Sequence, residues 1–252
     1  MRTATLFLIA ITTLSAQACS TWSTPDGHVV GQGEVVQKTL TVSDFHGIEV
    51  EGAMDVELTQ SAERSVVVEA QANIADLVTT EVKNGVWHLG TKEGYTTSKN
   101  FVVRVSVPSI DMIAMEGSGD LKGHGTFKMS ELALSTAGSG NISIDVEAGN
   151  VNTAVSGSGD VKLGGSCTKL KVSVAGSGDV NAKGLRSATA SVSVAGSGDV
   201  AVNTSEELNA SIAGSGDVTY EGSPSRVRKD VSGSGEVRAV GGGGSGPRKG
   251  PL

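Results

Sequence analysis

One triplet constrains this chain more than anything else in it. Gly-Ser-Gly begins at Gly117, Gly138, Gly157, Gly176, Gly196, Gly214 and Gly233, at spacings of 21, 19, 19, 20, 18 and 19 residues. An acid or its amide follows each time: Asp120, Asn141, Asp160, Asp179, Asp199, Asp217 and Glu236. Whole phrases recur with the triplet, KVSVAGSGDV at 171–180 and SVSVAGSGDV at 191–200. A near-fixed period of this length is the mark of a solenoid, in which one structural unit stacks on the next.

The columns between triplets say what the unit is. Two residues before each triplet stand Met115, Thr136, Val155, Val174, Val194, Ile212 and Val231. One residue after each acidic position stand Leu121, Ile142, Val161, Val180, Val200, Val218 and Val237. The residues between alternate polar and apolar, as in Lys171-Val172-Ser173-Val174. That is the period of a half-buried strand, and β-branched residues fill its apolar slots. The glycine clusters leave no room for a helix of useful length. The fold class expected is therefore all-β: a parallel β-helix-like solenoid with about seven regular GSG[DNE] coils. Each coil puts a Gly-Ser-Gly-Asp corner between short strands, with the acid bonding its local backbone. Stacking at about 4.8 Å per coil turns the valine columns into one core.

Before residue 110 the pattern loosens. Val50, Asp55 and Val56 still match the apolar, acidic, apolar template, and GIEVEG, DVELTQ, SVVVEA, GVWHLG and FVVRVSV read as strands. This half is expected to form wider, less regular coils of the same body. The expected organisation is a signal peptide over 1–18, a tether over 19–34, the solenoid over 35–240 and a flexible Gly-rich tail over 241–252.

The first twenty residues, MRTATLFLIAITTLSAQACS, carry Arg2, an apolar stretch from Leu6 to Leu14 and the small-x-small Ala16-Gln17-Ala18, the layout of an export signal. The stretch is too short to span a bilayer as a helix. Cys19 follows the expected cut and is a candidate for lipidation, although Ala16 stands where a lipobox has Leu, Val or Ile. The other reading pairs Cys19 with Cys167, the second of two cysteines, in an oxidising compartment. A net charge of −7 disfavours nucleic acid as a partner.

The motifs GAMDVELTQ, EGSGDL, TAGSGNI, SGSGDV and AGSGDV, closed by DVTYEGSPSRVRKDVSGSGEV, resemble the GIN head domain, a family labelled an autotransporter adhesin head. The resemblance covers roughly 45–240. It implies a right-handed parallel β-helix-like fold in an exported bacterial protein of the periplasm, outer membrane or cell surface. It implies no enzymatic reaction. One departure is expected: a true autotransporter ends in a membrane barrel of alternating strands, ~10 residues each, and this sequence ends in glycines, Arg248, Lys249 and Leu252.

Three chemistries compete for the repeats. The first is calcium, with Asp120, Asp160, Asp179, Asp199 and Asp217 as candidate ligands in one outward column. Such a column repels itself by roughly 1 kcal/mol per neighbouring pair in water, which a cation, turn bonds or Lys162 and Lys183 would offset. Against it, each coil offers one carboxylate where a hard cation wants six or more oxygens. The second is a polysaccharide-active β-helix enzyme. Its needs are unmet: His28, His46, His88 and His124 are scattered without metal spacing, and Ser118, Ser158 and Ser177 lack a histidine beside them. The third is a non-catalytic envelope module, adhesin-like or scaffolding, without cofactor. Ser173 and Ala175, Ser193 and Ala195, and Ser211 and Ala213 form small outward columns, a flat strip suited to a repetitive glycan, envelope polymer or protein. Lys169, Lys171 and Arg186 stand near it. Aromatic platforms for sugars are scarce, with Trp22 in the tether and Trp87 in the early half.

Overall fold

The computed structural model describes residues 27–240. The expected signal peptide, Cys19, Trp22 and the tail over 241–252 lie outside the described residues. The chain opens with β1 (Val29–Val30), β2 (Val35–Thr39), β3 (Gly47–Gly52), β4 (Asp55–Gln60) and β5 (Ser65–Gln71). After the single turn of α1 (Ala72–Ala75) come β6 (Val82–Lys83), β7 (Val86–Leu89), β8 (Tyr95–Thr96), β9 (Val102–Val107) and β10 (Met112–Gly117). The regular coils are the long bent strands β11 (Leu121–Thr136), β12 (Ile142–Gly157), β13 (Val161–Gly176), β14 (Val180–Gly196) and β15 (Val200–Gly214). Three shorter strands finish the stack: β16 (Val218–Glu221), β17 (Arg226–Gly233) and β18 (Val237–Ala239).

The fold is an all-β solenoid of stacked parallel coils. Strands β11 to β15 pair in parallel with their successors, one repeat apart: Val155 lies beside Val174, Val174 beside Val194, and Val194 beside Ile212. The valines before and after the corners are buried except at the last coil, with Val161, Val180 and Val200 at 1% exposure. Strands bend midway, with register shifts at Lys122/Thr126 and Lys162/Gly164, so one coil wraps several sides of a single core.

The Gly-Ser-Gly corner is required by how closely the coils approach. A Cβ on Gly178 would stand 2.2 Å from the carbonyl oxygen of Gly159 in the coil before. Gly176, at φ 149°, also occupies a backbone region that L side chains avoid. Between the glycines, the serine amide donates to the first glycine of the preceding coil, as Ser177 does to Gly157 at 2.9 Å. Ser118, Ser158 and Ser177 are thus corner residues, all exposed.

The N-terminal half joins the same stack, but out of chain order. β3 and β4 form a coil whose corner is Gly52-Ala53-Met54-Asp55; it pairs with β10 and with the first part of β11. The later strands β7 and β9 pair on its far side, on β3 and β4. The coil at 86–107 therefore lies outside the coil at 47–60. Beyond it the direction reverses: β5 runs antiparallel on β9, β2 antiparallel on β5, and β6 antiparallel on β7. These antiparallel strands close one end of the stack. The sequence pattern of wider coils did not contain them. Nor did the expected tether leave room for β1, which pairs with β8 and buries Val29.

The other end is finished differently. Val231 belongs to the inward column yet is 42% exposed, because no further coil covers it among the described residues. Lys229 takes the inward slot that Ala210 fills one coil earlier. Its Nζ donates to the Val237 carbonyl at 2.6 Å and lies 5.7 Å from the centre of the Tyr220 ring. Among the described residues, no helix is long and apolar enough to cross a membrane.

Candidate functional site

The corner acids form a ladder between coils rather than fastening their own turns. Asp55 Oδ1 accepts from the Asp120 amide at 3.0 Å, Asn141 Oδ1 from Asp160 at 2.9 Å, and Asp160 Oδ1 from Asp179 at 3.0 Å. Asp179, Asp199 and Asp217 continue to the amides of Asp199, Asp217 and Glu236 at 2.7, 2.8 and 2.9 Å. Asn141 also donates to Asp120 Oδ1 at 2.8 Å. Apart from Asp120, whose partner is the Asn141 side chain, each of these residues thus accepts the backbone amide of the next corner. One oxygen of every calcium candidate is committed to protein in this way. Among the described residues, no three carboxylates of this column come within reach of one ion.

The histidines stay apart from one another. His46 pairs with Asp111 at 2.7 Å, and that carboxylate raises its pKa. His88 lies on β7, and His124 is exposed on β11. Trp87 is fully buried and donates to the Thr79 carbonyl at 3.1 Å, so it offers no platform to a ligand. Among the described residues Cys167 has no disulfide partner; it lies partly buried between Ala148 and Ser187 of the neighbouring coils. Burial pushes its thiol up to about 11.

The outward face before the corners carries a groove. Three cavities of about 590, 360 and 370 Å³ run along it. The first two share Ser191 and Asn209; the second and third share Asn152 and Lys171. They follow from register. Outward residues of successive coils stand side by side, as in the row Asn152, Lys171, Ser191, Asn209, Arg228. The next row holds Ala154, Ser173, Ser193, Ser211 and Asp230. Small side chains there leave the hollow, and longer amides and cations stand along it.

This is the predicted strip, displaced by one row. Ser173, Ser193 and Ser211 line the groove, whereas Ala175, Ala195 and Ala213 lie nearer the corner and do not. Lys169 and Lys171 line it; Arg186 does not. The sequence reading missed Asn150, Asn152, Asn209 and Arg228. Their signal was the same period, two and four residues farther from each triplet. At the final coil, Asn209 donates to Glu207 at 3.0 Å and, with the paired Arg226 and Arg228 at 2.8 and 2.7 Å, holds that carboxyl below its usual range.

Solved structures share this architecture. A "putative adhesin" from Bacteroides fragilis is 24% identical, with a TM-score of 0.80 over 84% of this chain and 100% of that one. A "putative adhesin" from Parabacteroides distasonis is 25% identical, with a TM-score of 0.70 over 84% of this chain and 100% of that one. A "putative lipid binding protein" from the same species is 23% identical, with a TM-score of 0.70 over 84% of this chain and 99% of that one. Among curated proteins, none matches the chain. Residues 44–224 match the family described as "Putative auto-transporter adhesin, head GIN domain", and the chain belongs to that family.

Proposed function

We propose that this protein is an exported, non-catalytic surface module with an adhesin-like role, and that its groove holds an extended, hydrogen-bonding polymer such as an envelope glycan. The observation that carries this reading is the continuity of three cavities across successive coils. A repeating ligand meets the same rows of hydroxyls and amides at each step, so short contacts add along its length. Lys169 and Lys171 give this face cations within an acidic chain, which suits a polymer bearing some negative charge. The family's description as an adhesin head and the export-type N-terminus support the same location and role.

The test is binding of purified protein to fractionated surface polysaccharides, beside Ser193→Arg and Lys171→Glu. Saturable binding that both substitutions weaken by about tenfold, a loss near 1.4 kcal/mol, is expected. Binding indifferent to both would overturn the groove as the site. Release of new reducing ends would overturn the non-catalytic assignment.

A further inference from the structure

The out-of-order stacking places a histidine beside two glutamates. Glu49 and Glu51 alternate along β3 and so share its outward face. His88 on β7 is the register partner of Glu49. Its Nδ1 lies 3.0 Å from Glu49 Oε2. Each of the three residues offers a ligand atom within 4.8 Å of the other two. Four-coordinate zinc, with ligands at about 2.0–2.2 Å, sets its ligand atoms ~3.3 Å apart. Small side-chain rotations cover that difference.

Two details separate this cluster from an ordinary surface ion pair. First, His88 and Glu49 are partly shielded, with side chains 31% and 21% exposed, and Glu49 is already matched by the imidazole. Glu51 is a second carboxylate brought to the same place, and among the described residues its side chain has no hydrogen bond or ion pair. A lone like charge beside a satisfied pair leaves negative charge to be neutralised. Second, Glu51 lies over Gly90: its Oε2 is 3.4 Å from where a Cβ of that residue would stand. Gly90 and Ala114, which is the partner of Glu49 on β10, are the small neighbours of these two carboxylates.

We propose that Glu49, Glu51 and His88 bind a divalent ion of the zinc class. One imidazole and two carboxylates are a zinc donor set, and imidazole disfavours calcium or magnesium, which take oxygen. Three protein ligands leave a fourth position for water or a donor from a bound partner. Bound there, the ion fastens β7 to β3 and so the outer coil at 86–107 to the rest of the stack. This site is independent of the groove.

The experiment is calorimetric titration with zinc sulfate of the full chain carrying Cys19→Ser and Cys167→Ser, which removes thiol binding. One saturable site per chain is expected, with a melting temperature that rises as zinc is added. His88→Gln and Glu51→Gln should each weaken binding about tenfold or more, whereas His124→Gln, on an exposed position of β11, should leave it unchanged. Glu51 is exposed, so Glu51→Gln keeps the test decisive even if His88→Gln folds poorly. The absence of saturable uptake at millimolar zinc would overturn the proposal. So would equal uptake by the parent and Glu51→Gln.

Discussion

Val194 has Val174 beside it in the previous coil and Ile212 in the next, and only 1% of its surface meets solvent. A carboxylate there would be cut off from solvent between apolar neighbours. Val194→Asp is expected to cost several kcal/mol, about 3–5, and to unfold or fray the rod. A urea melt checks it, and an unchanged midpoint would show that the residue does not face the core. Asp199 makes the opposite case. Its work is to accept the Asp217 amide at 2.8 Å, and Asn141 does the same for Asp160 at 2.9 Å. Asp199→Asn should therefore stay within about 0.5 kcal/mol of the parent, while Asp199→Ala should lose about 1 kcal/mol. Equal losses in the two variants would remove the ladder from the account. The acid was legible in the sequence as a corner residue. Its partner was not, because the amide it serves belongs to the next coil, 18 residues on.

At the scale of the element, the regular strands were legible and the end strands were not. In β12 to β15 a two-residue alternation repeats in phase with the triplet, so each position has one consistent environment. SVVVEA, which lies in β5, carries the same alternation, and nothing in it distinguishes parallel stacking from the antiparallel pairing it makes with β9 and β2. Pairing direction is decided by the connections, not by the strand's own period. The zinc-class cluster was illegible for the same reason: Glu49 and His88 meet only because β7 stacks on β3. The cap has its own electrostatic signature. Arg104 on β9 bonds Glu57 on β4 at 2.9 Å and Glu69 on β5 at 2.6 Å. The guanidinium, with Gln37, holds the Glu69 carboxyl below its usual range. A depressed carboxyl stabilises the fold above its unfolded value of about 4.3, and that contribution is lost as pH falls through the folded value. Glu69→Gln should then be less stable than the parent at pH 7, with the difference shrinking as pH drops below about 4. Melting curves across that range check it; a difference independent of pH would contradict the assignment.

Over the described residues, the molecule is a stack with two unlike ends. One is covered by β2, β5 and β6; the other stops at a coil carrying Lys229 in an inward slot. A charge pointing inward at an open sheet edge discourages another chain from adding to it. The triplet spacing made the stack legible, and the family resemblance agreed with it. The order of the first coils could not be read, since spacing along the chain says nothing about a segment that steps outward and returns. The groove follows from the stack alone: without register, Asn152, Lys171, Ser191 and Asn209 have no common face. The stack is best tested by distances between corners. Spin labels at Ser139 and, in turn, at Ser197, Ser215 and Ser234, all exposed, span three, four and five coil steps, with Cys19 and Cys167 replaced by serine. Pulsed electron resonance should give separations that climb in equal steps, near ~14, ~19 and ~24 Å before allowance for the label arms. Separations that fail to rise by one common increment per repeat would mean that the corners do not lie in a row.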